Sequence, residues 1–190
     1  MNTTIIGIAG TNGSGKDTIG QILAEKHNYL FVTVTEMLRE ECRRRGLPVE
    51  REHLRMISGQ WRAEGGLGVL VDKAKELYDQ QTGYNGLAIS SLRNPGEADR
   101  VHELGGKVVW VDADPHVRYG RIQSANRGRG TEDNKTFEEF LQEERAEMYP
   151  PEDADRTALN GAAVREKCDL TLMNDDDQLV LEQKVENLIS

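Results

Sequence analysis

Short apolar runs alternate along this chain with longer amphipathic stretches. Five of the runs are rich in β-branched residues and have the length of strands, at residues 3–9, 29–34, 86–92, 107–113 and 169–173. Between them, apolar residues recur at helical spacing, starting with residues 17–28. Strands that are apolar on both faces and separated by helices are typical of a parallel sheet covered on both sides. The pattern therefore predicts an α/β fold with a five-stranded parallel sheet and helices on both faces.

The interval between the second and third predicted strands, residues 35–82, is too long for a single crossover helix. We expect two or three helices here, because it divides into amphipathic segments at 35–46, 49–65 and 67–81. Residues 126–134 and 150–160 are rich in Gly, Asn, Asp and Pro and should be the least ordered. With 190 residues and no internal repeat, the chain is predicted to form a single domain over residues 1–190.

The stretch GTNGSGKDT at residues 10–18 follows the first predicted strand and opens the first predicted helix. It matches the phosphate-binding pattern G-x-x-x-x-G-K-[ST], except that Asp17 stands where a hydroxyl is usual. In such loops glycines let the backbone approach a phosphate, the helix N-terminus adds partial positive charge, and the lysine reaches the β- and γ-phosphates. The motif predicts an ATP-binding loop formed by Gly10, Asn12, Gly13, Ser14, Gly15, Lys16, Asp17 and Thr18.

Three roles remain open for Asp17. Its carboxylate could hold Mg²⁺ or one of the metal's waters, it could cap the helix while Thr18 contacts phosphate, or it could be a solvated acid in the first turn. A carboxylate that faced the γ-phosphate directly would be repelled by it. The sequence therefore favours a metal ion or its water in between, with Asp17 and Thr18 as the predicted Mg²⁺ site.

Composition and charge narrow the range of partners. The formal net charge of −9 argues against nucleic acid, because binding to its backbone requires a basic surface. The chain shows no long apolar run and no leader pattern, so we expect a cytoplasmic protein without a membrane partner. The sequence does not determine the oligomeric state, for which a monomer is favoured. Cys42 and Cys168 should be reduced thiols, and they and the scattered histidines lack the spacing of metal ligands.

Positive charge is concentrated in one segment after the phosphate loop. Seven arginines lie within it, at positions 39, 43, 44, 45, 51, 55 and 62. Arginine suits bidentate contacts to phosphate, so this cluster suggests a second anionic ligand beside the first. For Arg43 to Arg45 we favour solvated helix faces instead.

The chain resembles P-loop nucleotide kinases of the adenylate kinase and dephospho-CoA kinase group over nearly its whole length. GSGKDT is similar to their GxGKGT, and to the loop of phage-type deoxynucleoside monophosphate kinases. Further likenesses follow in the family's order. TEMLREE at 35–41 resembles GDMLREE, and GLAISSLRNPGEAD at 86–99 resembles the strand that ends in D-G-x-x-R. Residues 121–140 resemble the lid, and DLTLMNDDD at 169–177 resembles the adenine-facing loop.

The resemblance implies an enzyme that moves the γ-phosphoryl group of ATP, with Mg²⁺, to a nucleotide-like small molecule. Residues 35–82 would be the helical acceptor-binding insertion and residues 121–140 a short lid. The implied catalytic residues are Lys16, Arg93, Arg121 and Arg127, and the implied adenine contacts are Asn174 and Asp175. The acceptor would be bound by Thr35, Glu36, Arg39, Arg62 and Arg93.

The chain departs from this group at two places. Ser90 stands where the third strand usually ends in Asp, so Asp17 could supply that charge from the other side of the metal. Dephospho-CoA kinases carry D-A-D where this chain has Thr33 to Thr35, and only Glu36 is a nearby acid.

Three functions are therefore weighed. An ionised phosphate acceptor needs no general base, whereas a ribose hydroxyl benefits from one, so the sequence favours a ribo- or deoxynucleoside monophosphate over dephospho-CoA. The third function is a nucleotide-dependent ATPase or switch that acts on a protein partner, which the serine at position 90 favours. The arginine set at 39, 93, 121 and 127 favours the kinase, because a switch needs no second phosphate pocket.

Overall fold

The computed structural model describes residues 4–124 and 135–189, which form five strands and nine helices. The strands are β1 Thr4–Gly10, β2 Tyr29–Thr33, β3 Gly86–Leu92, β4 Lys107–Asp112 and β5 Leu170–Met173. The helices are α1 Lys16–His27, α2 Val34–Arg44, α3 Arg51–Gly65, α4 Val69–Asp79, α5 Pro95–Glu103, α6 Pro115–Ser124, α7 Phe137–Met148, α8 Gly161–Glu166 and α9 Gln178–Ile189.

The five strands form one parallel sheet in the order β2-β3-β1-β4-β5. Since all strands run the same way, their carboxyl ends meet at one edge, and the loop after β1 emerges at the centre of that edge. The connection after β1 runs through α1 to β2 at one edge of the sheet, whereas the connection after β3 runs through α5 to β4 on the other side of β1. Folds of this kind bind ligands at the point where the strand order reverses. The predicted α/β class with a five-stranded parallel sheet is confirmed.

Two apolar cores lie on the two faces of the sheet. On one face α1 and α9 supply Ile19, Leu23 and Val185, which pack against alternate residues of β1 and β4. On the other face the core includes buried residues of α2, α3, α4, α5 and α8, among them Cys42, Ile57, Leu70, Val101 and Val164. The inner strands β1, β3 and β4 are therefore buried from both sides, which explains why they read as continuous apolar runs, whereas the edge strand β5 is exposed except at Leu172.

The predicted insertion at 35–82 contains the helices α2, α3 and α4. Gly46 and Gly66 separate them, with φ angles of 68° and 89° that favour glycine and end a helix. Residues 150–160 contain neither helix nor strand, and residues 126–134 lie outside the described part of the chain. The predicted lid at 121–140 starts in the last residues of α6 and ends in α7. Within the described residues, none of the helices has the length and apolar character to cross a membrane.

Candidate functional site

The phosphate loop joins β1 to α1 with an unusual backbone. Gly10, Gly13 and Gly15 have φ angles of 139°, 78° and 93°, which side chains rarely adopt. A Cβ atom on Gly10 would lie 2.0 Å from the carbonyl oxygen of Val111, so β4 leaves no room for one. Gly15 is the N-cap of α1 and offers no side-chain cap. The first-turn N–H groups of α1 are therefore available to an anion.

Side chains from β5 and α6 hold the loop from its far side. The Asn174 amide donates to the carbonyl oxygen of Ser14 at 2.8 Å, and Arg118 Nη1 donates to that of Asn12 at 3.2 Å. Arg121 Nη2 donates in turn to the carbonyl oxygen of Asn174 at 2.9 Å. Thus Asn174, predicted as an adenine contact, and Arg121, predicted as a catalytic lid residue, lie next to each other behind the loop.

Lys16 is buried inside the loop, with its Nζ 2.5 Å from the carbonyl oxygen of Thr11. Burial, together with the nearby Arg93 guanidinium, lowers the pKa of this amine to about 7. A buried ammonium group interacts strongly with an incoming phosphate, because little water screens the pair. An anionic ligand would therefore stabilise the protonated form of Lys16.

Asp17 lies at the carboxyl end of β3. Its Oδ1 accepts a hydrogen bond of 2.5 Å from the hydroxyl of Ser90, which is fully buried. The pairing of β1 with β3 shifts by one residue after Ser90, and Ser91 adopts a φ of 72°, so the strand bulges here. The carboxylate of Asp17 therefore lies where the resemblance places an acid, although it comes from the helix instead of the strand.

The oxygen atoms around Asp17 fit Mg²⁺. Among residues 4–124 and 135–189 no group of three or more His, Cys, Asp or Glu side chains could enclose a metal. Mg²⁺ is nevertheless commonly held by one or two protein oxygens together with waters and substrate phosphates. Asp17 is exposed towards the cavity, and the hydroxyl of Thr18 follows it in the first turn of α1. Asp17 and Thr18 are therefore suited to a metal that arrives with a nucleotide.

A cavity of about 940 Å³ opens beside the phosphate loop. Its wall includes parts of the loop, the junction of β2 and α2, α3, the end of β3 and α7. The charged residues that line it are Lys16, Arg39, Arg43, Arg51, Arg55, Arg62 and Arg93, against Asp17, Glu50, Glu52 and Glu147. Cations therefore predominate in this cavity, although the chain as a whole is acidic.

Comparison with known proteins agrees with this architecture. Residues 6–147 match the AAA domain family. A UPF0200 protein of Pyrococcus abyssi is 31% identical over 149 residues, which are 76% of this chain and 78% of the relative. A UPF0200 protein of Hyperthermus butylicus is 31% identical over 145 residues, which are 76% of this chain and 75% of the relative. The chain belongs to the UPF0200 family.

Solved structures show what kind of fold this UPF0200 chain has. A shikimate kinase from Bacteroides thetaiotaomicron superposes with a TM-score of 0.61 at 18% identity and covers 97% of this chain and 96% of its own. A shikimate kinase from Acinetobacter baumannii, in complex with shikimate, superposes with a TM-score of 0.57 at 18% identity and covers 98% of this chain and 93% of its own. The fold is therefore that of P-loop kinases.

The first turn of α2 carries three of the residues that sequence assigned to the acceptor. Thr35 and Arg39 line the cavity. Glu36 pairs with Arg39 at 3.2 Å and with Arg43 at 2.8 Å. Partial burial opposes ionisation of Glu36, but the hydrogen bonds from Arg43 and Arg39 outweigh it and lower its pKa. Glu36 therefore orients the α2 arginines.

Arg62 lines the cavity, but its guanidinium makes structural contacts, so its assignment to the acceptor stays a prediction. Its guanidinium is buried and donates to Glu97 Oε1 at 2.7 Å and 3.1 Å, and to the carbonyl oxygen of Thr157 at 2.9 Å. Glu97 also accepts from the backbone N–H groups of Arg93 and Asn94. Arg62 thus ties α3 to the start of α5, and it is left out of the acceptor set proposed below.

Arg93 enters the cavity and meets residues that the sequence analysis did not select. Its guanidinium pairs with Glu147 of α7, which also accepts from Arg55 of α3 at 3.0 Å. Within the arginine cluster, the spacing of four residues between Arg51 and Arg55 is a sequence signal that could have singled them out, because it places both on one helix face. No sequence signal marked Glu147, because its partners lie far away in the chain.

The remaining predicted residues are accounted for as follows. Arg127 lies outside the described residues. Asp175 accepts a hydrogen bond from the backbone N–H of Asp114 at 2.6 Å, so it joins the loops that follow β4 and β5. Arg118, which sequence did not select, is buried against the phosphate loop and pairs with Glu144 of α7. Arg118 is therefore the described arginine of α6 that touches the loop directly.

Proposed function

We propose that this UPF0200 protein is an ATP-dependent phosphotransferase whose acceptor is a nucleoside monophosphate, either ribo or deoxy. One observation supports this most strongly: Lys16 of the phosphate loop, the arginines of α2 and α3, and Arg93 just after β3 line the same cavity. A donor phosphate on the loop and an anionic acceptor among the arginines would then share one enclosed space. Positioning of two phosphates and neutralisation of their charge are the main requirements of phosphoryl transfer.

The donor is assigned to the phosphate loop and the start of α1. The free N–H groups of α1, the three glycines and the buried Lys16 together form an anion site. Mg²⁺ would be held by Asp17 and Thr18, with the Ser90 hydroxyl fixing the carboxylate, and it would neutralise charge between the β- and γ-phosphates. Asn174 and Asp175 would lie beside the adenine.

The acceptor is assigned to Thr35, Arg39 and Arg93, with Arg51 and Arg55 added from the structure. An ionised acceptor fits this set better than a sugar hydroxyl. The Thr33 hydroxyl accepts from the Glu36 N–H at 3.0 Å and so caps α2 instead of serving as a base. Glu147 in the cavity is paired with arginines that lower its pKa, and such a carboxylate is a weak base.

A coupled assay of ADP release tests this function. We expect release from ATP and Mg²⁺ to rise at least about tenfold with one or more ribo- or deoxynucleoside monophosphates, because closure around both ligands favours transfer over hydrolysis. Lys16→Ala should abolish it, whereas Lys26→Ala, which removes a lysine from the exposed side of the same helix, should not. Stimulation by dephospho-CoA or shikimate alone would show a hydroxyl acceptor. A rate that no acceptor changes would indicate an ATPase.

A further inference from the structure

Helix α7 places a carboxylate among the arginines of the cavity. Glu147 Oε1 accepts from Arg55 Nη2 at 3.0 Å and lies 3.9 Å from Arg51 Nη1. Its other oxygen, Oε2, accepts from Arg93 Nη1. Three guanidinium groups from two separate parts of the chain therefore converge on one carboxylate.

This carboxylate is shielded from water and strongly held in its charged form. The side chain of Glu147 is 20% exposed, against 33% for Arg93 and 53% for Arg55. Burial alone would raise the pKa of Glu147, but Arg93, Arg51 and Arg55 outweigh it and lower that pKa. Arginines that surround one carboxylate present the donor arrangement that they would present to a phosphate.

Two other carboxylates of α7, Glu143 and Glu144, are engaged elsewhere. Glu144 pairs with the buried Arg118, and Glu143 is shared between Arg51 at 2.9 Å and Lys135 at 2.6 Å. Of these three carboxylates, only Glu147 lines the large cavity. Arg51 is shared with Glu143, but Arg55 and Arg93 both donate hydrogen bonds to Glu147. One negative charge therefore serves these two arginines, and a doubly charged anion would neutralise them better.

We infer that Glu147 is a specificity-determining residue that occupies the place of the acceptor's phosphate until the acceptor binds. This inference rests on the proposed function and deepens it. A phosphate dianion displaces Glu147 from Arg55 and Arg93 because it brings a second charge and more acceptor oxygens. A singly charged group interacts with the arginines no more strongly than Glu147 does, so it does not displace Glu147 and the site selects against such groups.

Anion titrations test the inference without knowledge of the acceptor. The protein is first saturated with β,γ-imido-ATP and Mg²⁺, so that the phosphate loop is filled, and inorganic phosphate is then titrated by calorimetry. Glu147→Gln should bind phosphate roughly tenfold more tightly than wild type, because it removes an internal competitor for the arginines. Glu138→Gln should match wild type, since this exposed residue loses the same charge from the same helix.

Two further variants connect the effect to the arginines. The double variant Glu147→Gln, Arg55→Ala should lose the tighter phosphate binding of Glu147→Gln. The single variant Arg55→Ala should bind phosphate more weakly than wild type. Nitrate, a singly charged anion, should bind measurably to Glu147→Gln and not to wild type. The melting temperature and circular dichroism of each variant show whether it is folded.

Unchanged or weaker phosphate binding by a folded Glu147→Gln would overturn the inference, and so would equal nitrate binding by wild type and variant. If Glu147→Gln did not fold, phosphate affinity unaffected by Arg55→Ala would overturn it instead. Failure of the proposed function would look different, since no nucleoside monophosphate would then stimulate ADP release from ATP. The order of phosphate affinities among the variants would still decide the role of Glu147.

Discussion

At the scale of single residues, an acid and a hydroxyl have changed places between the phosphate loop and the end of β3. The loop carries an acid, Asp17, where a hydroxyl is usual, and β3 ends in a hydroxyl, Ser90, where an acid is usual. The two side chains are joined by a hydrogen bond of 2.5 Å. The pair thus places a carboxylate and a hydroxyl side by side, each on the element where the other group is usual. Of the roles considered for Asp17, helix capping is not the one observed, because its hydrogen bond goes to Ser90.

Magnesium dependence tests this exchange. Asp17→Asn should raise the Mg²⁺ concentration for half-maximal ADP release by about tenfold, because a neutral amide binds Mg²⁺ poorly. Nucleotide binding without metal should be unchanged or tighter, since a negative charge near the phosphates is removed. Ser90→Asp in the Asp17→Asn background should lower the required Mg²⁺ again. Magnesium titrations that superimposed for wild type and both variants would contradict the metal role of Asp17.

At the scale of elements, α3 carries arginines with two different tasks. Arg51, Arg55 and Arg62 all line the cavity, but Arg62, near the end of the helix, is buried and donates to Glu97. Glu97 closes the capping box of α5 with Asn94, and it accepts from the backbone N–H of Arg93. The Arg62 contact therefore fixes α3 relative to the backbone that carries Arg93.

Removal of Arg62 should therefore destabilise the fold. Arg62→Ala should lower the free energy of unfolding by about 3–5 kcal/mol, because it leaves the Glu97 carboxylate buried without a cation. Arg43→Ala removes an arginine from an exposed pair with Glu36 and should cost at most about 1 kcal/mol. Urea unfolding of both variants measures the difference. Equal losses would show that Arg62 does not hold α3 in this way.

The elements themselves were largely predictable, and the long-range pairs were not. Apolar runs and glycine breaks placed the strands and α1 to α4 within two residues of their observed ends, because local sequence determines these features. Sequence could not separate Arg62 from Arg55, since their difference in burial arises only when α3 packs against α5. Glu147 was missed for the same reason: its arginine partners lie 54 and 92 residues away along the chain.

At the scale of the whole molecule, the carboxyl edge of the sheet brings the parts of the site together. The loop after β1, the start of α2, the end of β3 and the last turn of α7 all reach this edge. The chain has a net charge of −9, yet its cavity is lined mainly by cations, so the site is positive in an acidic protein. Anionic ligands would thus be drawn to this cavity and not to the surface in general.

The central claim is that one cavity transfers a phosphoryl group between two bound ligands, and the fate of a radiolabelled γ-phosphate tests it most directly. Wild-type protein is incubated with labelled ATP, Mg²⁺ and a pool of ribo- and deoxynucleoside monophosphates, with Lys16→Ala as the inactive control. The account predicts that the label is recovered on an acceptor as a new diphosphate, and that Lys16→Ala transfers none. Label recovered only as inorganic phosphate, at the same rate with or without the pool, would contradict it.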